Sequence, residues 1–74
     1  SHFIADLIGL NVIDADTDKV YGRLNDIQNH GASDIYEIET DDKHMVYMPA
    51  VKEFVVKVDL ESGIYVRLIE GMFE

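Results

Sequence analysis

Between residues 54 and 60 the side chains alternate with a period of two, and this pattern constrains the fold more than any other. Phe54, Val56, Val58 and Leu60 fall on one side of an extended segment, and Val55, Lys57 and Asp59 on the other. Successive side chains of a β-strand point to opposite faces, so the spacing predicts a strand with one buried face. Residues 7–13, 20–28, 35–40, 43–48 and 64–68 also read as strands, each bounded by turn-forming residues. In the last of them Ile64, Val66 and Leu68 are predicted inward, with Tyr65 and Arg67 outward. No segment carries a helical period long enough to compete.

The punctuation between these runs is specific. Asp14-Ala15-Asp16-Thr17-Asp18-Lys19 is a turn-rich cluster. Gly22 inside the second run predicts a bulge or tight bend, and the irregular spacing from Leu24 to Ile27 places a bulge there. Asn29-His30-Gly31-Ala32-Ser33 forms a loop, and Asp41-Asp42 a short hairpin turn. Pro49 ends the fourth run because it cannot donate to a ladder. Residues 50–53 are too few for a stable helix and suit a single 3₁₀ turn. Glu61-Ser62-Gly63 closes the last hairpin. The expected fold is all-β: a small antiparallel six-stranded barrel with at most a short 3₁₀ turn. Closure would remove the exposed edges of so small a sheet.

With 74 residues the chain is one domain. A domain of this length buries only about 60% of the surface its unfolded chain exposes, so its stability is marginal. Cysteine is absent, which excludes disulfides and thiolate chemistry. No apolar run approaches the roughly 18 residues of a membrane span, and no signal peptide is visible. Ser1-His2 reads as a tag remnant, so the domain is assigned to residues 3–74. Fifteen acidic residues against six basic ones give a net charge of −9. Lys19, Arg23, Lys43, Lys52, Lys57 and Arg67 are scattered, so strong direct binding to a phosphate backbone is not expected. The acidity suits either a basic protein partner or simple solubility.

Catalytic and metal chemistry find little support. Asp14, Asp16 and Asp18 match the first three ligand positions of a calcium loop. The match fails at Lys19, where glycine is needed, and at Asn25, where a bidentate glutamate is needed. His2, His30 and His44 show no zinc-ligand spacing. Ser33 follows Gly31-Ala32 but leads into a strand, and its turn is better explained by Ser and Asp side chains satisfying backbone groups. No nucleophile elbow or phosphate loop is present. The chain is expected to be no enzyme and to need no metal, cofactor or small-molecule substrate. The acidic residues gather at Asp34, Glu37, Glu39, Asp41 and Asp42. Alternation sets Ile35, Glu37 and Glu39 on one face of the third run, which could speed capture of a basic protein.

The segments Gly31-Ala32-Ser33-Asp34-Ile35-Tyr36-Glu37-Ile38, residues 48–63 and residues 65–74, with Asp6-Leu7-Ile8-Gly9 near the start, resemble the C-terminal PRC-barrel domain of the ribosome maturation factor RimM, a 16S rRNA processing family. The resemblance spans nearly the whole chain, and the order and spacing of the motifs make it specific. It implies a bacterial cytoplasmic, non-catalytic module that assists maturation of the small-subunit head. It implies the nineteenth small-subunit ribosomal protein, a basic protein, as partner, and an N-terminal RimM domain that this chain lacks. The family often carries an aromatic pair just before the Asp-Leu-Ile-Gly motif, linked to subunit association. Phe3 stands at the second aromatic position and His2 at the first. Phe3, Asp6, Glu37 and Glu39 are therefore the expected partner contacts. Gly9, Gly31, Asp34, Pro49, Asp59 and Gly63 are expected to shape the turns. Two alternatives stand beside this reading: a stand-alone PRC-barrel protein unconnected with ribosomes, and a structural protein that self-associates through exposed strands.

Overall fold

The computed structural model of the chain describes residues 4–29 and 31–69. A four-residue helix α1 (Ile4–Leu7) precedes six strands: β1 (Asn11–Asp14), β2 (Val20–Asn29), β3 (Asp34–Thr40), β4 (Met45–Pro49), β5 (Val55–Asp59) and β6 (Gly63–Val66). All six strands form one sheet in the order β4-β3-β2-β1-β6-β5.

Two expectations about this architecture are corrected. The pairing is not wholly antiparallel, because β1 and β6 run parallel, with Val12 opposite Ile64 and Asp14 opposite Val66. Hairpin turns dictate antiparallel neighbours, but β1 and β6 meet from opposite ends of the chain, where no local turn sets their direction. Nor, among the described residues, is the sheet closed by hydrogen bonds: β4 and β5 are its two edges. The sheet is nonetheless strongly curled. Six flat strands would set the outer two about 24 Å apart at about 4.8 Å per strand. The link from Pro49 to Val55 reaches at most roughly 21 Å when extended, and it is coiled at Val51, whose carbonyl accepts from the N–H groups of Phe54 (3.0 Å) and Val55 (2.8 Å). That turn is the short one expected at this position. The resulting body measures 27 × 25 × 24 Å.

The concave face holds the core. Leu7, Val12, Leu24, Tyr36, Ile38, Met48, Ile64 and Val66 are buried together. Each fully buried aliphatic side chain contributes about 1.5–3 kcal/mol. In a domain whose net stability is of the order of 5–15 kcal/mol, no member is dispensable. Leu10, Ile27, Phe54, Val55, Val58 and Leu68 pack around the rim of this cluster.

Three bulges shape the curl. Asn25 is the extra residue between the pairs Leu24–Ile38 and Asp26–Glu37, where the apolar spacing had placed one. Tyr21 is the extra residue between Val12–Gly22 and Ile13–Val20. Beside it, Gly22 lies so close to β3 that a Cβ would sit 2.1 Å from the Glu39 carbonyl oxygen, so only glycine fits. The third bulge, at Val56, lies between the pairs Val55–Val66 and Lys57–Tyr65.

The Val56 bulge overturns part of the predicted facing of this strand. Phe54 and Val58 pack inward as expected, but Val55 joins them and Val56 and Leu60 are exposed. An extra residue shifts the period-two pattern by one, which moves side chains to the other face. The first predicted run is also corrected. Its front half is α1 and a turn at Gly9, in which Leu7 still reaches the core and the Gly9 N–H donates to the Leu24 carbonyl at 2.8 Å. Four helical residues leave no period to read. The β3–β4 turn is longer than expected, with Lys43 at φ 69° and β4 starting only at Met45.

Candidate functional site

The β1–β2 turn is built by its own carboxylates. Asp14 Oδ1 accepts the N–H groups of Asp16 (2.7 Å) and Thr17 (3.1 Å), and its Oδ2 accepts the Tyr21 hydroxyl. This pairing holds the Asp14 carboxyl below its ordinary range and pushes the Tyr21 phenol up to about 12. Asp16 receives Arg67 in a two-pronged contact, Nε to Oδ2 at 3.2 Å and Nη2 to Oδ1 at 3.0 Å. Two of the three calcium-like carboxylates are thus engaged within the protein. Among the described residues no three His, Asp or Glu side chains converge as metal ligands would.

The second polar assembly lies on the convex face of β2, β3 and β4. Glu37 points outward from β3, where its carboxylate accepts the Asn25 amide and, at 3.3 Å, the Gln28 amide. The bulge at Asn25 brings both amides to the same carboxylate. Tyr47 of β4 stands directly opposite Glu37 in the ladder. The negative charge of Glu37 is the main cause raising the Tyr47 phenol above its usual value, with partial desolvation and a hydrogen bond to Glu37 adding to it. Glu39 points outward two pairs further along, flanked by Arg23 on β2 and Met45 on β4. At the end of the strand, Thr40 donates its hydroxyl to Asp42, and Asp42 also meets His44 at 3.1 Å. Glu37 and Glu39 therefore share the outward face of β3, with Arg23 beside Glu39, and Asp41 and Asp42 follow in the turn at the end of the strand.

The family profile described as the RimM PRC barrel domain matches residues 4–72. The chain belongs to the RimM PRC-barrel family. Similar proteins include the ribosome maturation factor RimM of Lactobacillus helveticus, 36% identical over 72 residues, which covers 96% of this chain and 42% of that protein. The RimM of Caldanaerobacter subterraneus subsp. tengcongensis is 38% identical with the same coverage. That of Prosthecochloris aestuarii is 44% identical over 61 residues, 82% of this chain and 35% of that protein. The crystal structure of RimM from Pseudomonas aeruginosa superposes with a TM-score of 0.80 over 93% of this chain and 44% of that one, at 23% identity. This RimM-family chain thus spans less than half the length of the relatives it matches.

Of the RimM contacts expected from sequence, Glu37 and Glu39 share the convex face of β3. Asp6 lies exposed on α1, and no hydrogen bond or ion pair ties it to them. Phe3 lies outside the described residues, as do Ser1, His2, His30 and residues 70–74. The turn residues have distinct roles. Gly9, Gly31 and Gly63 all have positive φ, and at Gly63 a Cβ would meet the Asn11 carbonyl oxygen at 2.5 Å. Asp34 accepts the Asn29 amide at 2.8 Å, and its carbonyl receives the Ala50 N–H at 2.9 Å. Pro49 is the last residue of β4, opposite Ile35. Asp59 accepts the Glu61 (2.9 Å) and Ser62 (3.3 Å) N–H groups, which lowers its carboxyl pKa. Asn25, Gln28 and Tyr47 were not foreseen as site residues. Met45, Val46, Tyr47 and Met48 are all apolar, so no alternation marks Tyr47, and the two amides reach Glu37 only through the register of β2 on β3.

Proposed function

We propose that this RimM-family domain is a non-catalytic protein-binding module in maturation of the small-subunit head. It works in the bacterial cytoplasm and captures a basic ribosomal protein, the nineteenth of the small subunit, on the convex face of β3. Residues 3–74 constitute the module and Ser1-His2 a tag remnant; the remainder of the longer relatives would supply the other RimM domain. Phe3 and Asp6, the latter the first residue of the Asp-Leu-Ile-Gly motif, form a second contact. The observation that carries the reading is the Glu37 carboxylate, set in place by Asn25 and Gln28 with Glu39 beside it, in a chain of net charge −9. A pre-positioned carboxylate loses less side-chain entropy on pairing with an incoming cation. The names of the relatives, ribosome maturation factors, support the same role.

Calorimetric titration with the purified nineteenth small-subunit protein, at low and moderate salt, tests this. The expected result is saturable one-to-one binding that weakens as salt rises. Glu37→Lys with Glu39→Lys should weaken it by roughly tenfold or more, since opposite rim charges become like charges. Absence of binding at both salt levels, or unchanged affinity in the double variant, would reject the acidic-face role.

A further inference from the structure

The open edge of β4 has a geometry that goes beyond charge. Bonded pairs of the β3–β4 ladder are set at its two ends, where the Thr40 N–H donates to the His44 carbonyl and the Ala50 N–H to the Asp34 carbonyl, both at 2.9 Å. Bonded and non-bonded pairs alternate in an antiparallel ladder. Ile38–Val46 and Tyr36–Met48 are therefore bonded, whereas Glu39–Met45 and Glu37–Tyr47 are not. The N–H and C=O groups of Met45 and Tyr47 consequently point away from β3. Among the described residues no strand pairs with that side of β4. The same two residues expose their side chains, Met45 by 41% and Tyr47 by 54%. The other sheet edge, β5, carries the Val56 bulge, which disrupts a regular template.

We propose that an extended, arginine-bearing segment of the basic partner adds to β4 as a further strand. This deepens the acidic-face reading and rests on it. Side chains at alternate positions of such a segment lie on the convex face, beside Tyr47 and Met45. An arginine there can lie over the Tyr47 ring, within the roughly 6 Å at which a cation and a ring attract. Its fork can then reach toward Glu37 or Glu39, two strand spacings or about 9.6 Å from the added strand. Self-pairing of two β4 edges is disfavoured, because it would bring Glu37, Glu39, Asp41 and Asp42 of two chains of charge −9 together.

Amide hydrogen exchange of the 74-residue chain, followed by NMR, tests the proposal with two probes: the nineteenth small-subunit protein and a short peptide of alternating arginine and threonine. Strand addition predicts that exchange at the Met45 and Tyr47 N–H groups slows by roughly tenfold or more with the bound probe, while Val46 and Met48 change little. Ribosomal-protein binding that leaves Met45 and Tyr47 unprotected overturns strand addition and leaves the acidic-face reading standing. Protection by the peptide with no binding of the ribosomal protein supports the edge site and removes the named partner. Protection by neither probe overturns the proposal.

Discussion

At the scale of single residues, the contact between Tyr21 and Asp14 links a turn to the pH dependence of the fold. Asp14 is needed to close the turn with the Asp16 and Thr17 amides, and the Tyr21 hydroxyl completes its shell. The folded Tyr21 pKa is raised from 10.0 to about 12, first by this hydrogen bond and then by burial. The folded state keeps a proton that the unfolded state has already lost. The contribution is therefore complete below pH 10 and disappears between pH 10 and about 12. The Asp14 pKa is lowered, chiefly by the same hydrogen bond and then by the Asp16 amide, so its contribution is present above the unfolded value of 3.8 and is lost as acid protonates it. Tyr21→Phe should flatten the alkaline fall and shrink the acid one, leaving what the backbone amides still provide. Urea midpoints across both ranges measure this. Identical pH slopes in the two proteins would show that the pair is not linked to folding.

At the scale of elements, the bulge in β5 decides which valine supports the core. Alternation alone assigns Val56 inward and Val55 outward, whereas the structure packs Val55 on the core and exposes Val56. Val56→Lys should change stability by no more than about 0.5 kcal/mol, as for other exposed sites. Val55→Lys should cost about 2 kcal/mol or more, because it removes apolar packing and forces a charge toward the core rim. Thermal melts of the two variants rank them, and the reverse order would mean that β5 follows the unbroken alternation. β3 and β6 kept the facing read from sequence. Tyr36 and Ile38 are buried on one side of β3, with Glu37 and Glu39 on the other. Ile64 and Val66 are buried in β6 while Tyr65 is partly exposed. Where no extra residue interrupts a run, two-residue periodicity is sufficient. A bulge becomes visible only when the register against its partner strand is known.

At the scale of the whole molecule, a charge of −9 is confined in a body 27 Å across its longest extent. Self-repulsion spans the whole body at roughly 10 mM salt, where the Debye length is about 30 Å, and is largely screened at 1 M, where it is about 3 Å. Raising sodium chloride from roughly 10 mM to roughly 0.5 M should increase the melting temperature while weakening capture of a basic partner. Calorimetry of the free and mixed proteins across that range gives both signs. A melting temperature that falls with salt would mean that specific ion pairs such as Arg67–Asp16 outweigh the repulsion. That pair is more than half exposed on both sides and is expected to contribute no more than about 1 kcal/mol.

The six strands, most of their turns, the core faces of β3 and β6 and the family were all readable from the order of residues. These depend on local rules: side-chain period, the turn chemistry of Asp and Gly, and the block that proline imposes. The parallel β1–β6 seam, the unclosed β4 and β5 edges, the reversal at Val56 and the cluster of Asn25, Gln28 and Tyr47 around Glu37 were decided only in three dimensions. Each depends on which strand lies beside which and in what register. That choice is made by burial of the common core, between residues whose separation along the chain carries no mark of their meeting.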